Sequence, residues 1–256
     1  MKAVILAGGF GTRISEESHL RPKPMVEIGE RPILWHIMKI YSNYGINDFI
    51  ICAGYKQHII KEYFSNYALY NSDISFDFRT GEMTTTQNSS EPWRVTIADT
   101  GLNTMTGGRV KRIERYLEGD ETFCLTYGDG VSDVDIDELL RFHSKEGKIA
   151  TLTAVHPEGR FGIMDMNGDD VTSFREKNQN DVGWVNGGFM AMDIDVMDYI
   201  SGDDTVLERT TMDALAAASQ LNAYKHHGYW QCMDTLRDKE NLQRLWNSGN
   251  APWKTW

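Results

Sequence analysis

A glycine-rich turn, Leu6-Ala7-Gly8-Gly9-Phe10-Gly11-Thr12-Arg13, is the first place in this sequence where residue type and spacing could do chemistry. Glycines in such a turn expose several backbone N–H groups in a concave arc that can bind phosphate oxygens, and Arg13 adds a fixed two-pronged fork. Two familiar phosphate motifs fail on spacing. A dinucleotide fingerprint needs a glycine where Ile14 stands, and a P-loop needs Gly-Lys-Ser/Thr where Arg13 stands. An ordinary tight strand-to-helix turn would use the same residue types. Glycines clustered this closely, however, lose more conformational freedom on folding than a mere turn justifies, so the segment reads as a phosphate site.

Downstream, Arg21-Pro22-Lys23-Pro24-Met25 holds a lysine between two prolines. Proline fixes its own φ and biases its predecessor towards extended geometry, so Lys23 is expected on a stiff, extended backbone; alternatively the prolines only shape a loop. Asp129, between Gly128 and Gly130, follows an apolar run at the place where open α/β sheets bind ligands, with room for a metal and its waters. Gly-Asp-Gly also suits any tight turn. Asp234 stands just before a helical pattern beginning near Leu236, where on the residues alone an N-cap is the favoured reading. Glu176 and Lys177 could be an exposed ion pair, and Asn186-Gly187-Gly188 a strand irregularity. Arg109 belongs to a basic cluster with Lys111, Arg112 and Arg115 that could be a solvated helix face.

In combination these segments resemble the sugar nucleotidyltransferases. Gly-Gly-x-Gly-Thr-Arg with Pro-Lys-Pro, then Tyr127-Gly128-Asp129-Gly130, Phe174-Arg175-Glu176-Lys177, Val185-Asn186-Gly187-Gly188 and Trp230-Gln231-Cys232-Met233-Asp234-Thr235 fall in family order. Asn103-Thr104-Met105-Thr106-Gly107-Gly108-Arg109 and the terminal Ala251-Pro252-Trp253-Lys254-Thr255-Trp256 are similar to the cytidylyl branch, which acts on glucose 1-phosphate. The likeness covers essentially the whole chain.

The resemblance implies CTP and glucose 1-phosphate as substrates and Mg²⁺ held by Asp129 and Asp234. It implies triphosphate binding by Leu6, Ala7, Gly8, Gly9, Phe10, Gly11, Thr12, Arg13 and Lys23, with Thr104, Arg109 and Gly128 at the base and ribose. Sugar-phosphate contacts would come from Glu176, Lys177, Asn186 and Gly187, although Asn178 stands where the family often has proline. A guanidinium aimed at O2 and N3 favours cytosine over uracil, because arginine only donates. The implied chemistry is in-line attack of the sugar phosphate on the α-phosphorus. Catalytic roles go to Arg13, Lys23, Asp129 and Lys177, and no side chain need remove a proton. A uridylyl- or thymidylyltransferase on the same fold, a silent nucleotide-sugar binding module and, more distantly, a nicotinamide oxidoreductase are the alternatives. The resemblance further implies a homo-oligomer, a hexamer among the options, feeding CDP-glucose to surface-polysaccharide synthesis.

These residues need elements to position them. Residues 2–6 are a continuous apolar run that suits a central strand. Pro32 opens a helical pattern stopped by Gly45, residues 48–52 are a second buried strand, and residues 56–67 an amphipathic helix. Strand and helix alternate in this way to residue 152, predicting an α/β, doubly wound, mostly parallel, Rossmann-like mixed sheet flanked by helices. Residues 73–98 read as an additional hairpin with a loose polar tip at 84–90, free or docked on another subunit. Short strands at 162–166, 171–175 and 185–192 and helices at 208–219 and 236–246 follow, as a small C-terminal sugar-binding region. One domain is expected over 1–256, mainly nucleotide-binding in 1–130 and mainly sugar-phosphate-binding and oligomer-forming in 131–256.

Bulk properties narrow the partners. A net charge of −11 over 256 residues argues against nucleic acid, which needs clustered Lys and Arg in excess. Anionic substrates would need a local cationic pocket or a divalent metal. Cys52, Cys124 and Cys232 are widely separated and read as reduced core thiols. The apolar start is cut short by Gly8 and Gly9, too soon for a signal sequence, and no stretch reaches a membrane span, so no membrane partner and a cytoplasmic location are expected.

Overall fold

Ala3–Ala7 (β1) is buried at every position, as an unalternating apolar run must be if both faces of its sheet are covered. The computed structural model describes the chain except residues 12, 13, 15, 16, 18, 158–162, 168, 169 and 176–182. Along it follow β2 (Glu27–Ile28), β3 (Arg31–Pro32), β4 (Asp48–Ala53), β5 (Asp73–Asp77), β6 (Glu82–Thr86), β7 (Arg94–Asp99), β8 (Thr122–Tyr127) and β9 (Gly130–Ser132). Then come β10 (Ala150–Val155), β11 (Ile163–Asn167), β12 (Asp170–Arg175), β13 (Val185–Asn186), β14 (Met190–Asp193), β15 (Leu221–Lys225) and β16 (Trp230–Cys232).

β1 pairs in parallel with β4 on one side and β8 on the other, and β7 extends the sheet beyond β4. Past β8 the sheet turns antiparallel through β14 to β10. β13 shares the β14 edge of β10 and β15 lies parallel along its opposite edge. The expected mixed, mostly parallel, doubly wound sheet is thus observed. Strand order runs outward in both directions from β1, which opens a crevice at the carboxyl ends of β1 and β8.

Period-two alternation divides the strands between two cores. Ala3, Ile5, Phe49, Ile51 and Cys124 face one, together with Leu34, Ile37 and Met38 of helix Ile33–Asn43 and Leu242 of helix Leu236–Asn247. Val4, Leu6, Ile50, Phe123 and Leu125 face the other, with Val110 of helix Thr106–Arg112 and Leu215 of helix Met212–Ala217. Among the described residues no helix is long and apolar enough to cross a membrane.

The segment 73–98 is not one long hairpin. β5 pairs with β6 through a turn closed by Gly81 N–H donating to the Asp77 carbonyl (2.8 Å), with Gly81 at φ 74°. Val95 and Ile97 instead alternate because β7 is the edge strand of the main sheet. The polar residues 84–86 lie within β6 and are not a loose tip.

The C-terminal residues close one side of the molecule. Trp253, 1% exposed, stacks on Tyr229 and Trp246 at ring distances of 5.8 and 6.4 Å. Its Nε1 donates to His36 Nδ1 (3.4 Å), while His36 Nε2 meets the Ile28 carbonyl at 2.8 Å and must carry the proton, since a carbonyl only accepts. Burial pushes the His36 ring down to about 4. Trp253→Ala is expected to destabilise the protein by about 3–5 kcal/mol, read from denaturant unfolding. An unchanged midpoint would show that the C-terminal residues are not part of the core.

Candidate active site

The crevice at the carboxyl ends of β1 and β8 is a cavity of about 680 Å³. Leu6, Ala7, Gly8, Gly9, Phe10 and Gly11 line one wall, Lys23, Tyr127, Gly128, Asp129 and Asp234 the floor, and residues 102–106 with Arg109 the far side. All its described lining residues except Asp234 come from the first 129 positions. Thr12, Arg13, Glu176 and Lys177 lie outside the described residues. Thr104 and Arg109 join the cavity, but Asn186 and Gly187 are not among its lining.

Asp129 and Asp234, 105 positions apart in sequence, are brought together by a short ladder. β9 pairs antiparallel with β16, with Gly130 opposite Cys232, and Met233 N–H donates to the Asp129 carbonyl at 2.8 Å. Residues just outside this register converge, and their carboxylates meet at Lys23. Its Nζ donates to Asp129 Oδ2 at 2.6 Å and to Asp234 Oδ1 at 2.7 Å. Burial alone would lower the Lys23 ammonium; the two carboxylates outweigh it and hold the group above its ordinary value.

Lys23 itself begins a 3₁₀ turn, Lys23–Met25, in which Met25 N–H donates to the Pro22 carbonyl (2.8 Å). Pro22, not Lys23, carries the extended conformation, so the expectation of an extended lysine is corrected. In this tight turn Lys23 is buried, 8% exposed. Asp234 is not the helix cap. Thr235 caps Leu236–Asn247 through a capping box with Asp238, leaving the Asp234 carboxylate available to Lys23.

Arg109 is no solvated helix residue. It is 4% exposed, while its neighbour Arg112 is paired with Asp203 (2.8 and 2.5 Å) and Lys111 with Glu114. Its Nη1 donates to Thr100 Oγ1 (2.8 Å) and the Gly101 carbonyl (2.7 Å), and its Nη2 to the Leu102 carbonyl (3.2 Å). Burial lowers this guanidinium from its usual value, yet it keeps its charge and is surrounded by neutral acceptors. Two glycines make room for it. A Cβ on Gly8 would stand 2.0 Å from Arg109 Nη1, and one on Gly54 would stand 2.5 Å away. Gly128 is fixed for another reason, since a Cβ there would meet the Leu6 carbonyl and Pro24 Cγ at 2.8 Å. Among the described residues nothing stands within 4 Å of where a Cβ on Gly9 would be, so the turn is open on that side. Gly11 takes the left-handed φ of 66°.

Among the described residues no group of three or more His, Cys, Asp or Glu side chains is gathered as a metal centre. The pair Asp129–Asp234 nonetheless suits a hard divalent ion. Both donors are carboxylate oxygens, both are partly accessible, and they already converge on one cationic centre, the Lys23 ammonium.

The sequence profile of the Nucleotidyl transferase family matches residues 2–246. The chain belongs to this family. It is 54% identical over 256 residues to a glucose-1-phosphate cytidylyltransferase of Salmonella typhimurium, covering 100% of each chain. It is 41% identical over 257 residues to a probable glucose-1-phosphate cytidylyltransferase of Bacillus subtilis, again covering 100% of each. Among solved structures, HddC of Yersinia pseudotuberculosis shares the fold, with a TM-score of 0.68 at 23% identity, covering 96% of this chain and 99% of that one.

For a nucleotidyl transferase the arrangement is chemically coherent: a wall of accessible backbone and a buried arginine in one cavity with a lysine between two carboxylates. Pro24, Leu102, Asn103, Met105, Thr106 and Tyr127 line the same cavity, although the sequence assigned none of them a role of its own. Tyr127 could have been found from its place immediately before Gly-Asp-Gly at the end of a buried strand.

Lys23→Met takes away the ammonium that lies between the two carboxylates. In the absence of nucleotide this variant is expected to bind Mn²⁺ at least about ten-fold more tightly than the unaltered protein, followed by the Mn²⁺ EPR signal. Equal affinities would show that these carboxylates are not a cation site.

Proposed function

We propose that this enzyme transfers the cytidylyl group of CTP to α-D-glucose 1-phosphate, giving CDP-glucose and pyrophosphate. The observation that carries the reading is the cavity at the ends of β1 and β8. It combines the glycine turn, the buried Arg109 and the Lys23–Asp129–Asp234 cluster, and so suits a molecule with phosphates at one end and a base at the other. Two full-length relatives named for this activity favour it over uridylyl or thymidylyl transfer and over silent binding.

An oxygen of the sugar phosphate attacks the α-phosphorus in line, a new P–O bond forms, and the bond from the α-phosphorus to the bridging oxygen breaks as pyrophosphate leaves. Attacker and leaving group are both anions, so the protein need not move a proton, and catalysis is positioning and charge neutralisation. The backbone of residues 8–12 and Arg13 hold the triphosphate. Lys23 lies against the charge growing at the α-phosphate, and Lys177 steers the incoming phosphate. Arg109 donates to the acceptor edge of cytosine, with Thr104 and Gly128 beside the base and ribose. Glu176, Asn186 and Gly187 take the sugar. Asp129 and Asp234 would hold Mg²⁺, which when bound neutralises non-bridging phosphate oxygens. On this reading residues 1–130 chiefly bind nucleotide and 131–256 chiefly bind sugar phosphate and form a homo-oligomer, working in the cytoplasm.

The deciding experiment is a matrix of the four nucleoside triphosphates against several sugar 1-phosphates, with divalent ions present and pyrophosphate release as readout. CTP with glucose 1-phosphate should give the highest kcat/KM; a higher value for another pair would displace the assignment. Lys23→Ala should lower kcat by about 10²-fold, comparable to losing one charge-stabilising donor. Undiminished turnover would remove Lys23 from the reaction.

A further inference from the structure

Glu208 lies on the π-helical turn Leu207–Thr211 and is not among the residues lining the cavity. Its carboxylate nevertheless joins two residues that are. Tyr127 donates its hydroxyl proton to Glu208 Oε1 at 2.8 Å, and Thr106 donates to Oε2 at 2.6 Å. Thr106 Oγ1 in turn accepts from Leu207 N–H at 2.9 Å.

The consequence is one of hydrogen-bond direction. A carboxylate only accepts, so the single proton of Tyr127 is committed to Glu208, and the phenol oxygen is left as an acceptor on its other side. There Asn186 Nδ2 donates to it at 3.2 Å. The opposite end of the same amide, Oδ1, accepts from Gly188 N–H at 2.9 Å. The two ends of an amide are nearly equal in size, so hydrogen bonds decide which way it points. Here one end is set by local backbone and the other by a relay that begins at Glu208. With Oδ1 and one N–H engaged, Asn186 has one further N–H to offer.

We propose that Glu208 is a positioning residue which, through Tyr127, orients the Asn186 amide so that it presents a donor N–H to a hydroxyl of the sugar phosphate. The inference rests on the sugar-binding role given to Asn186 above. It adds a link from the π-helical turn to the acceptor substrate that needs no contact between Glu208 and that substrate. Glutamine at 208 keeps the relay, because its carbonyl can accept from Tyr127 while its N–H₂ donates to Thr106 Oγ1. Alanine breaks it.

The test is steady-state kinetics on the full-length protein with glucose 1-phosphate and CTP varied separately, alongside the thermal midpoint. Glu208→Ala is expected to raise KM for glucose 1-phosphate about ten-fold, the cost of disordering one buried polar contact, while KM for CTP changes less than about two-fold. Glu208→Gln should stay within about three-fold of the unaltered enzyme in both, and Tyr127→Phe combined with Glu208→Ala should be no worse than the poorer single variant. An unchanged KM for glucose 1-phosphate in Glu208→Ala overturns the proposal. So does an equal loss in both KM values with a lowered thermal midpoint, which would mark a purely structural residue. Should Glu208→Ala fail to fold, Tyr127→Phe carries the same expectation and the same refutation. If the unaltered protein forms no CDP-glucose, the reaction assigned above falls and this inference with it; if it does and the variants behave normally, only the relay falls.

Discussion

One lysine bound by two carboxylates organises the floor of the cavity, and much of the surrounding structure exists to make that meeting possible. Lys23 comes from a turn after β1, Asp129 from the end of β8, and Asp234 from beyond β16. Taking such charges partly out of water is costly unless geometry is good and the remaining groups are satisfied. The β9–β16 ladder supplies the geometry, and the capping box at Thr235 means that the Asp234 side chain is not needed as the helix cap. Within the trio two carboxylates share one ammonium, a donor set of hard oxygens that suits a divalent cation. That is how an acidic protein can accept a substrate made largely of phosphate.

Across the cavity Arg109 solves the opposite problem. Its neighbour Arg112 is neutralised by Asp203, whereas Arg109 is held by a threonine hydroxyl and two peptide carbonyls. Neutral acceptors fix its orientation without cancelling its charge, so the full positive charge remains available in the cavity. Gly8 therefore serves two purposes. It belongs to a turn that can offer backbone to phosphate, and its missing side chain is the space into which the guanidinium packs.

The central part of the fold was legible because its signals are local. The apolar run of β1, the stop at Gly45 and the helical spacing after Pro32 each report on a few consecutive residues, and each element is where the pattern predicts it. What could not be read were pairings between distant segments. Val95 and Ile97 alternate whether their partner is a hairpin strand or β4, and only the assembled sheet decides. Arg109 shares its residue type with Lys111, Arg112 and Arg115, and nothing local separates the buried member from the paired ones. The role of Asp234 was partly legible: Thr235-x-x-Asp238 is a capping-box signature that assigns the cap to Thr235 and frees its predecessor. Tyr127 and Glu208 meet across 81 positions, a distance over which residue type alone says nothing.

The break between β13 and β14 shows how such long-range constraint reaches the sugar side. Both strands lie along one edge of β10, but Gly188 and Phe189 between them take positive φ values of 75° and 44°. For glycine this is cheap; for phenylalanine the left-handed region costs roughly 1–2 kcal/mol. The conformation is held from both sides by threonines of neighbouring strands. Phe189 N–H donates to Thr126 Oγ1 (3.2 Å), and its carbonyl accepts from Thr153 Oγ1 (2.6 Å). The ring is fully buried and stacks on Tyr41 at 5.9 Å, so burial more than offsets the backbone cost. An unbroken strand would have continued the pleat through 186–189 with every amide in the ladder. The kink instead turns Gly188 N–H back onto Asn186, and so the glycine beside the strained Phe189 fixes one end of the amide next to Tyr127.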